Sequence, residues 1–287
     1  MFEVRSLTAD DLDDAEELSA QAGWNQLTAD WERFLTTCPE GCFAGTVDGE
    51  LAATTAVITY GRDVSWIGMV LVDERHRSQG YGSRIFERGL EYARDHGGDL
   101  IGLDATPLGE PIYRKYGFER VEPVFRWQGT LRASEPGDGE RNPAESVEQV
   151  TSDDVDTVCE FDRRYVGIDR SALLRELIAE PAVRGYLSYD STEQTGYVIV
   201  RPGRTHWQIG PIITAQPSTI GPLLRAVSVD FGGCDVIVDT PDRTDITTHL
   251  GNRGLSRARE LARMTYPEPA SALATDSVHA LLDFAFG

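Results

Sequence analysis

Lysine is almost missing from this chain. Of 27 basic residues, one is lysine, Lys115, and the other 26 are arginine. Against them stand 47 acidic residues, for a formal net charge of −20. The balance is 13 bases to 23 acids up to residue 132 and 14 to 24 beyond it, so the acidity is even and forms no tail. An evenly acidic surface excludes nucleic acid and anionic membranes as main partners. A solvated, acid-rich and lysine-poor surface also keeps protein soluble at high salt, and predicts a salt-adapted protein. Cysteine is scarce: Cys38, Cys42, Cys159 and Cys234. Only Cys38 and Cys42 are near each other, with no His beside them, so no metal site is expected and the thiols read as buried and reduced. No apolar run approaches about 18 residues, which excludes a transmembrane helix. The start, Met1-Phe2-Glu3-Val4-Arg5, lacks the layout of a secretory signal, and a cytoplasmic location is expected.

What is present is ordinary globular material. Hydrophobic residues make up 40% and charged residues 26% of 287 positions, a length that favours two domains. The run from Ala133 to Ala144 is rich in turn formers and charge without apolar periodicity, and reads as a linker. The expected division is therefore a domain over 1–132, a linker over 133–144 and a domain over 145–287.

The two sides of that linker resemble each other. Val4-Arg-Ser-Leu-Thr-Ala-Asp-Asp-Leu-Asp13 matches Val147-Glu-Gln-Val-Thr-Ser-Asp-Asp-Val-Asp156. Ile67-Gly68 matches Ile209-Gly210, Leu103-Asp104 matches Val238-Asp239, and Gly117-Phe118 matches Gly254-Leu255. Four matches in one order at offsets of 135 to 143 predict an internal duplication. In the first copy, the patterning predicts a helix opened by Thr8 and Asp11 and a second helix near 28–36. Strands are predicted over 42–47, 50–60 and 64–72, then a helix from Tyr81 to Gly97, a strand over 100–105, a short helix near 110–115 and a strand over 118–128. The class is mixed α/β.

The strongest chemical signal is Met69-Val-Leu-Val-Asp-Glu-Arg-His-Arg77-Ser-Gln-Gly80-Tyr-Gly82-Ser83, an apolar strand, then R-x-x-G-x-G, then an amphipathic helix. Glycines let backbone N–H groups converge, and a helix N-terminus adds its positive dipole end, so the pattern points to phosphate. Arg75, Arg77, Arg84 and Arg88 stand against Glu87 alone, a local +3. The dinucleotide pattern fails because Ile85 follows where a third Gly is needed, and no Gly-Lys-Ser/Thr exists for a P-loop.

These residues resemble the GNAT superfamily of acyl-CoA-dependent N-acetyltransferases. Val70 to Ser83 is similar to that family's cofactor motif, and Leu103-Asp-Ala-Thr-Pro through Tyr113-Arg-Lys-Tyr-Gly117-Phe118 to its later motif. The whole chain resembles a two-domain subgroup, with segments such as Tyr165 to Leu174 and Arg263-Met264 in the second half. The resemblance implies two mixed α/β domains in tandem, each a mostly antiparallel sheet flanked by helices. It implies that the backbone of Val70, Leu71 and Val72 pairs with the pantetheine arm of acetyl-CoA. It further implies that Arg77, Ser78, Gln79, Gly80, Tyr81, Gly82 and Ser83 cradle the pyrophosphate, and that Tyr113 protonates the leaving thiolate. Tyr116 is expected to be structural. Glu74 and Asp73, after the strand, are the candidate bases. Trp24 and Asn25 after the first helix, and Asp104 at a strand end, are the candidate acceptor contacts. In the second half, the polar turn around Arg163, Arg164, Tyr165, Asp169 and Arg170 is a weaker candidate for the same role.

The second copy departs where the motif matters. Gln216-Pro-Ser-Thr-Ile-Gly221 lacks the Arg, keeps one Gly and has a Pro without an N–H to donate. Thr248 or His249 stands opposite Tyr113. One working site, in the first domain, is therefore expected. It would transfer acetyl directly to a primary amine of a small molecule. The alternatives are protein or peptide N-acetylation, a longer acyl donor, or an acyl-CoA sensor without turnover.

Overall fold

The computed structural model describes residues 1–98, 100–134, 145–267 and 275–287. The expected linker thus lies outside the described residues from 135 to 144. The chain divides into two compact units, and neither is one stretch of sequence. The first is Met1–Val121 with Arg263–Ala270 and Phe284–Gly287; the second is Glu122–Ala262 with Ser271–Asp283.

The first unit runs β1 (Phe2–Ser6), α1 (Leu12–Gln21), α2 (Thr28–Thr37), β2 (Cys42–Val47), β3 (Glu50–Tyr60), β4 (Val64–Val72), α3 (Tyr81–His96), β5 (Leu100–Ala105), α4 (Glu110–Arg114) and the first residues of β6 (Glu119–Thr130). Strands β1 to β4 pair antiparallel in sequence order, and β4 pairs with β5 in parallel through the α3 crossover. The predicted elements stand within a few residues of these bounds; β1 was not anticipated. Thr8 and Asp11 start α1 as expected: the Thr8 N–H and hydroxyl both donate to the Asp11 carboxylate, at 2.9 and 3.1 Å. Helix α3 buries Ile85, Phe86, Leu90 and Ala93. It lies close on β3 at Gly89, where a Cβ would stand 3.1 Å from Thr55 Oγ1.

The second unit repeats the order with β7 (Glu145–Gln149), α5 (Val155–Val166), α6 (Ser171–Ala179), β8 (Arg184–Asp190), β9 (Glu193–Arg201), β10 (Trp207–Thr214), α7 (Ile220–Phe231), β11 (Asp235–Pro241), α8 (Thr244–Asn252) and, up to Ala262, β12 (Ser256–Tyr266). Its helix start is the same device, with Thr151 donating to Asp154 at 2.8 and 2.7 Å. An additional strand, β13 (Val278–Ala280), has no counterpart among the described residues of the first unit. Strands β7 to β10 are antiparallel, β10 and β11 are parallel, and β11 pairs antiparallel with the later part of β6. Val198, Val200, Ile209, Leu223, Val227, Val236 and Leu250 form its core. In both units the strand pairings are thus mostly antiparallel with helices flanking them, as the resemblance implied.

Candidate active site

The site of the first unit begins with two irregularities of β4. Its pairing with β5 covers only Val64↔Leu100, Ser65↔Ile101 and Trp66↔Gly102. Among the described residues no strand pairs with that edge of β4 beyond Trp66, so the two parallel strands splay and leave a free backbone edge. The second irregularity is a bulge. Gly68 faces Ala56 and Leu71 faces Thr54, so Met69 and Val70 together oppose Thr55. Met69 is left-handed at φ 53°. A bulge puts an extra residue outside the ladder and re-aims its backbone groups. The Thr54 hydroxyl donates to the Met69 carbonyl at 2.9 Å. Beyond the bulge, the Asp73 N–H bonds Ala52 O. Ladder alternation then turns the groups of Val72 to the free edge, where its carbonyl accepts from Arg77 Nε at 3.3 Å.

The strand leads through a tight turn, Glu74–His76, into the loop before α3. Ser78 and Gly80 are both left-handed, at φ 63° and 82°. Gly80 caps α3 without a side-chain bond. Arg84 N returns to Gly80 O. None of the six N–H groups from Ser78 to Ser83 has an acceptor among the described residues. Alternating handedness makes such groups converge into an anion-binding concavity, and the helix dipole adds to it. A Cβ on Gly82 would find only Val72 Cγ2, at 3.5 Å, and one on Gly80 nothing within 4 Å. No packing demands glycine at position 82; its bare backbone leaves the cradle open.

The arginines of this segment are held elsewhere. Arg75 clasps Asp73, Arg77 Nη1 bonds Glu74 at 3.2 Å, Arg84 lies over the Phe2 ring and Arg88 over Phe43. The backbone amides of Ser78 to Ser83 are donors left for an anion.

The two candidate bases differ sharply. Asp73 is buried and accepts from Arg75 N, Nε and Nη2 at 2.8, 3.0 and 3.1 Å and from Gln21 Nε2 at 3.3 Å. The Arg75 guanidinium, then its amide and Gln21, hold the carboxyl down at about 2 against the opposing effect of burial. A group so acidic is a poor base near neutrality. It is instead the clamp of the loop, with Gln21 at the end of α1 as its second jaw. Sequence reasoning missed Gln21, which carries no motif. Glu74 is exposed and has one ion-pair partner, Arg77.

Tyr113 lies in α4 with its ring 4.6 Å from Phe86, one turn along α3 from Gly82. Its hydroxyl has no hydrogen-bond partner among the described residues. Burial pushes its pKa up, which keeps the phenol protonated. Tyr116, by contrast, donates to Glu87 at 2.7 Å. Of the acceptor candidates, Asn25 is buried and Trp24 half-buried in the segment between α1 and α2. The Asp104 side chain is fully buried and accepts from Arg263 Nε and Nη2 at 3.0 and 2.9 Å. Asp162 holds Arg170 in the interior of the second unit, while Arg163 and Asp169 pair loosely at its surface.

A family model described as "Acetyltransferase (GNAT) family" matches residues 6–118, and one described as "Acetyltransferase (GNAT) domain" matches residues 158–280. The chain belongs to the GNAT superfamily, as a tandem of two GNAT domains. The family transfers acyl groups, generally from acetyl-CoA. Holothin acyltransferase of Pseudoalteromonas sp. (strain SANK 73390) is 26% identical over 219 residues, 76% of this chain and 71% of that protein. The uncharacterized N-acetyltransferase YhbS of Escherichia coli K12 is 32% identical over 87 residues, 28% of this chain and 50% of YhbS. Among solved structures, a candidate acetyltransferase from Pyrococcus horikoshii superposes with a TM-score of 0.81 at 22% identity, covering 100% of this chain and 96% of that one. A tandem GNAT protein from the clavulanic acid biosynthesis pathway gives 0.67 at 14% identity, covering 92% and 98%.

The second GNAT unit keeps the scaffold and closes it. Strand β10 pairs with β11 only at Trp207↔Val236 and Gln208↔Ile237, and it carries a bulge at Gly210–Pro211, where Pro211 has no N–H. Strand β13 fills the splay beyond. It pairs antiparallel with β10 at Ile212↔Ala280 and Ile213↔Val278, and Leu281 N bonds Asp239 O of β11 at 2.8 Å. The loop is closed as well. A tight turn, Pro217–Thr219, runs straight into α7, Thr219 and Ile220 are buried, and the His249 ring lies 3.2 Å from where a Cβ on Gly221 would stand.

Proposed function

We propose that the first unit transfers an acetyl group from acetyl-CoA to a primary amine of a small molecule, within one ternary complex, and that the second unit binds no acyl-CoA. The observation that carries this reading is the row of six unbonded amides, Ser78 to Ser83, continuous with an open β4 edge. Amides of this kind suit a pyrophosphate, and a free strand edge suits the amide groups of a pantetheine arm. In the second unit β13 holds the corresponding edge.

The chemistry follows from the residues. The amine nitrogen attacks the thioester carbonyl; a C–N bond forms and the C–S bond breaks. A backbone N–H of the Val70–Val72 stretch serves the developing oxyanion. The departing sulfur takes the proton of Tyr113, which burial keeps protonated until the thiolate forms and whose hydroxyl has no other partner among the described residues. The amine's proton passes to Glu74, since Asp73 is locked by Arg75. Trp24 and Asn25 border the acceptor, and Asp104 contributes through its hold on Arg263. Among the described residues no Cys or Ser side chain is shown bonded to a His ring as a nucleophile would need, which favours direct transfer. No helix among the described residues is long and apolar enough to cross a membrane. We read the acidic, lysine-poor composition as an adaptation to salt in the cytoplasm.

Titration calorimetry with acetyl-CoA, at low and high salt, tests this. One molecule bound per chain, lost in Gly82→Glu, supports the reading and leaves a screen of amines and peptides to name the acceptor. No binding, or two molecules per chain, overturns it. Binding without turnover on any amine would make the protein a sensor.

A further inference from the structure

Residues Phe284–Gly287 belong to the first unit, although β13 just before them belongs to the second. They lie along one face of β4. The register places Tyr60, Trp66 and Gly68 on that face, because Val64 faces Tyr60, Trp66 faces Ile58 and Gly68 faces Ala56. Trp66 Nε1 donates to Phe284 O at 3.1 Å, and the Tyr60 hydroxyl donates to Phe286 O at 2.6 Å. The Phe286 ring stacks on Phe34 of α2 at 4.2 Å. Between these anchors the segment meets bare backbone: a Cβ on Gly68 would stand 2.5 Å from Ala285 O. Only glycine admits that approach.

Gly68 is immediately followed by the bulge at Met69 and Val70. Met69 holds a left-handed backbone that a side chain of its size rarely adopts, and such a conformation persists only where its surroundings over-determine it. Thr54 fixes the bulge from β3 through the Met69 carbonyl. The segment fixes the residues just before it, and does so through its own backbone. A merely apolar plug would need neither the indole nor the phenol donor.

We propose that Phe284–Phe286 is a positioning brace for the reacting strand, holding Trp66–Gly68 so that the bulge keeps its backbone groups aimed into the splay. This rests on reading the first unit as the acyl-CoA site. The brace serves the approach of the thioester carbonyl to the β4 amides, not the grip on the carrier, which lies in the loop and at the head of α3. Its loss should therefore lower the rate constant and leave acetyl-CoA affinity in place.

The test uses the full chain, Trp66→Phe, which keeps a ring but removes the donor to Phe284, and a variant lacking residues 284–287. Acetyl-CoA affinity is read by calorimetry and turnover by thiol release from acetyl-CoA, with water or an amine as acceptor. Misplacing reacting groups by a fraction of an ångström predicts a kcat roughly 10- to 100-fold lower in Trp66→Phe, with Kd changed by less than about 2-fold. Adding Tyr60→Phe should lower kcat further at the same Kd. Wild-type turnover in Trp66→Phe overturns the brace, as does a kcat that falls only in step with affinity. If the deletion variant fails to fold, Trp66→Phe decides alone. A wild-type chain that binds no acetyl-CoA overturns the functional reading and the brace with it; a wild-type chain that binds, beside an undiminished Trp66→Phe, overturns the brace only.

Discussion

Asp104 and Arg263 stand 159 positions apart in the chain and form a two-bonded ion pair with no exposure on either side. Arg263 also lies over the Trp66 ring, its guanidinium carbon 4.7 Å from the centroid. The second unit repeats the pair with Asp239 and Arg126, at 2.7 and 2.6 Å. In each unit an aspartate from the strand after the crossover helix takes an arginine that the other half of the sequence supplies. Removing one partner of such a pair leaves a buried charge uncompensated. Asp104→Ala should therefore destabilise the first unit by about 3–5 kcal/mol, and a second change, Arg263→Met, should recover much of that loss. Thermal unfolding of the single and double variants checks both statements.

Tyr113→Phe removes only the hydroxyl that has no partner. The ring stays packed on Phe86. The expected outcome is a kcat lower by about 10²–10⁴-fold with unchanged acetyl-CoA affinity and thermal stability. Tyr116→Phe, which breaks the bonds to Glu87 and Ser83, should leave kcat within about 3-fold of wild type.

Asp73 gives the loop an acid-side dependence. Its carboxyl is held at about 2, below the unfolded value near 3.8. The native state then binds fewer protons than the unfolded state in that interval. This contribution to stability is complete above about 4 and is lost as pH falls towards 2. Asp73→Asn should start less stable at neutral pH, lose less than wild type between pH 4 and pH 2, and bind acetyl-CoA more weakly because Arg75 and Gln21 no longer hold the loop. Melting curves across that range, with calorimetry at pH 7, measure both effects.

His279 sets a second window. It lies in β13, its Nε2 2.8 Å from Thr214 Oγ1. Burial above all, then Arg243 and His249, lower its pKa from 6.5 to about 4, against the pull of Asp245 and Asp276. An unfolded chain takes up this proton more readily, so stability is full above about 6.5 and declines as pH falls towards 4. His279→Gln should flatten the decline between pH 6.5 and pH 4.5, and melting temperatures of the two proteins at matched pH test it.

Much of the fold was legible in the sequence because the repeat and the apolar periodicities are local signals. The strands over 42–47, 50–60 and 64–72 stand as expected, since alternation and turn residues fix them without reference to distant parts. The Gly80-x-Gly82 pattern likewise marked the loop whose amides stand without acceptors among the described residues, while the bonds of Arg75 to Asp73 and Arg77 to Glu74 carried no signal in the sequence. Partners supplied from far along the chain were not legible. Nothing near Asp104 announces Arg263, and nothing near Trp66 announces Phe284. The bulge at Met69 left no mark either, because Val64–Val72 reads as one unbroken apolar strand. The run Val278-His-Ala-Leu-Leu282 could have been read as a strand, but its place in the β10–β11 splay is a tertiary fact.

That placement makes β13 a resident competitor. A segment tethered to its own groove acts at an effective concentration on the order of millimolar, whatever the supply of free ligand. An incoming carrier would have to outbid a strand that never diffuses away. Rewriting Gln216–Gly221 into a glycine loop would thus restore a cradle without restoring occupancy, and the asymmetry between two duplicated halves is secured by mass action as well as by lost residues.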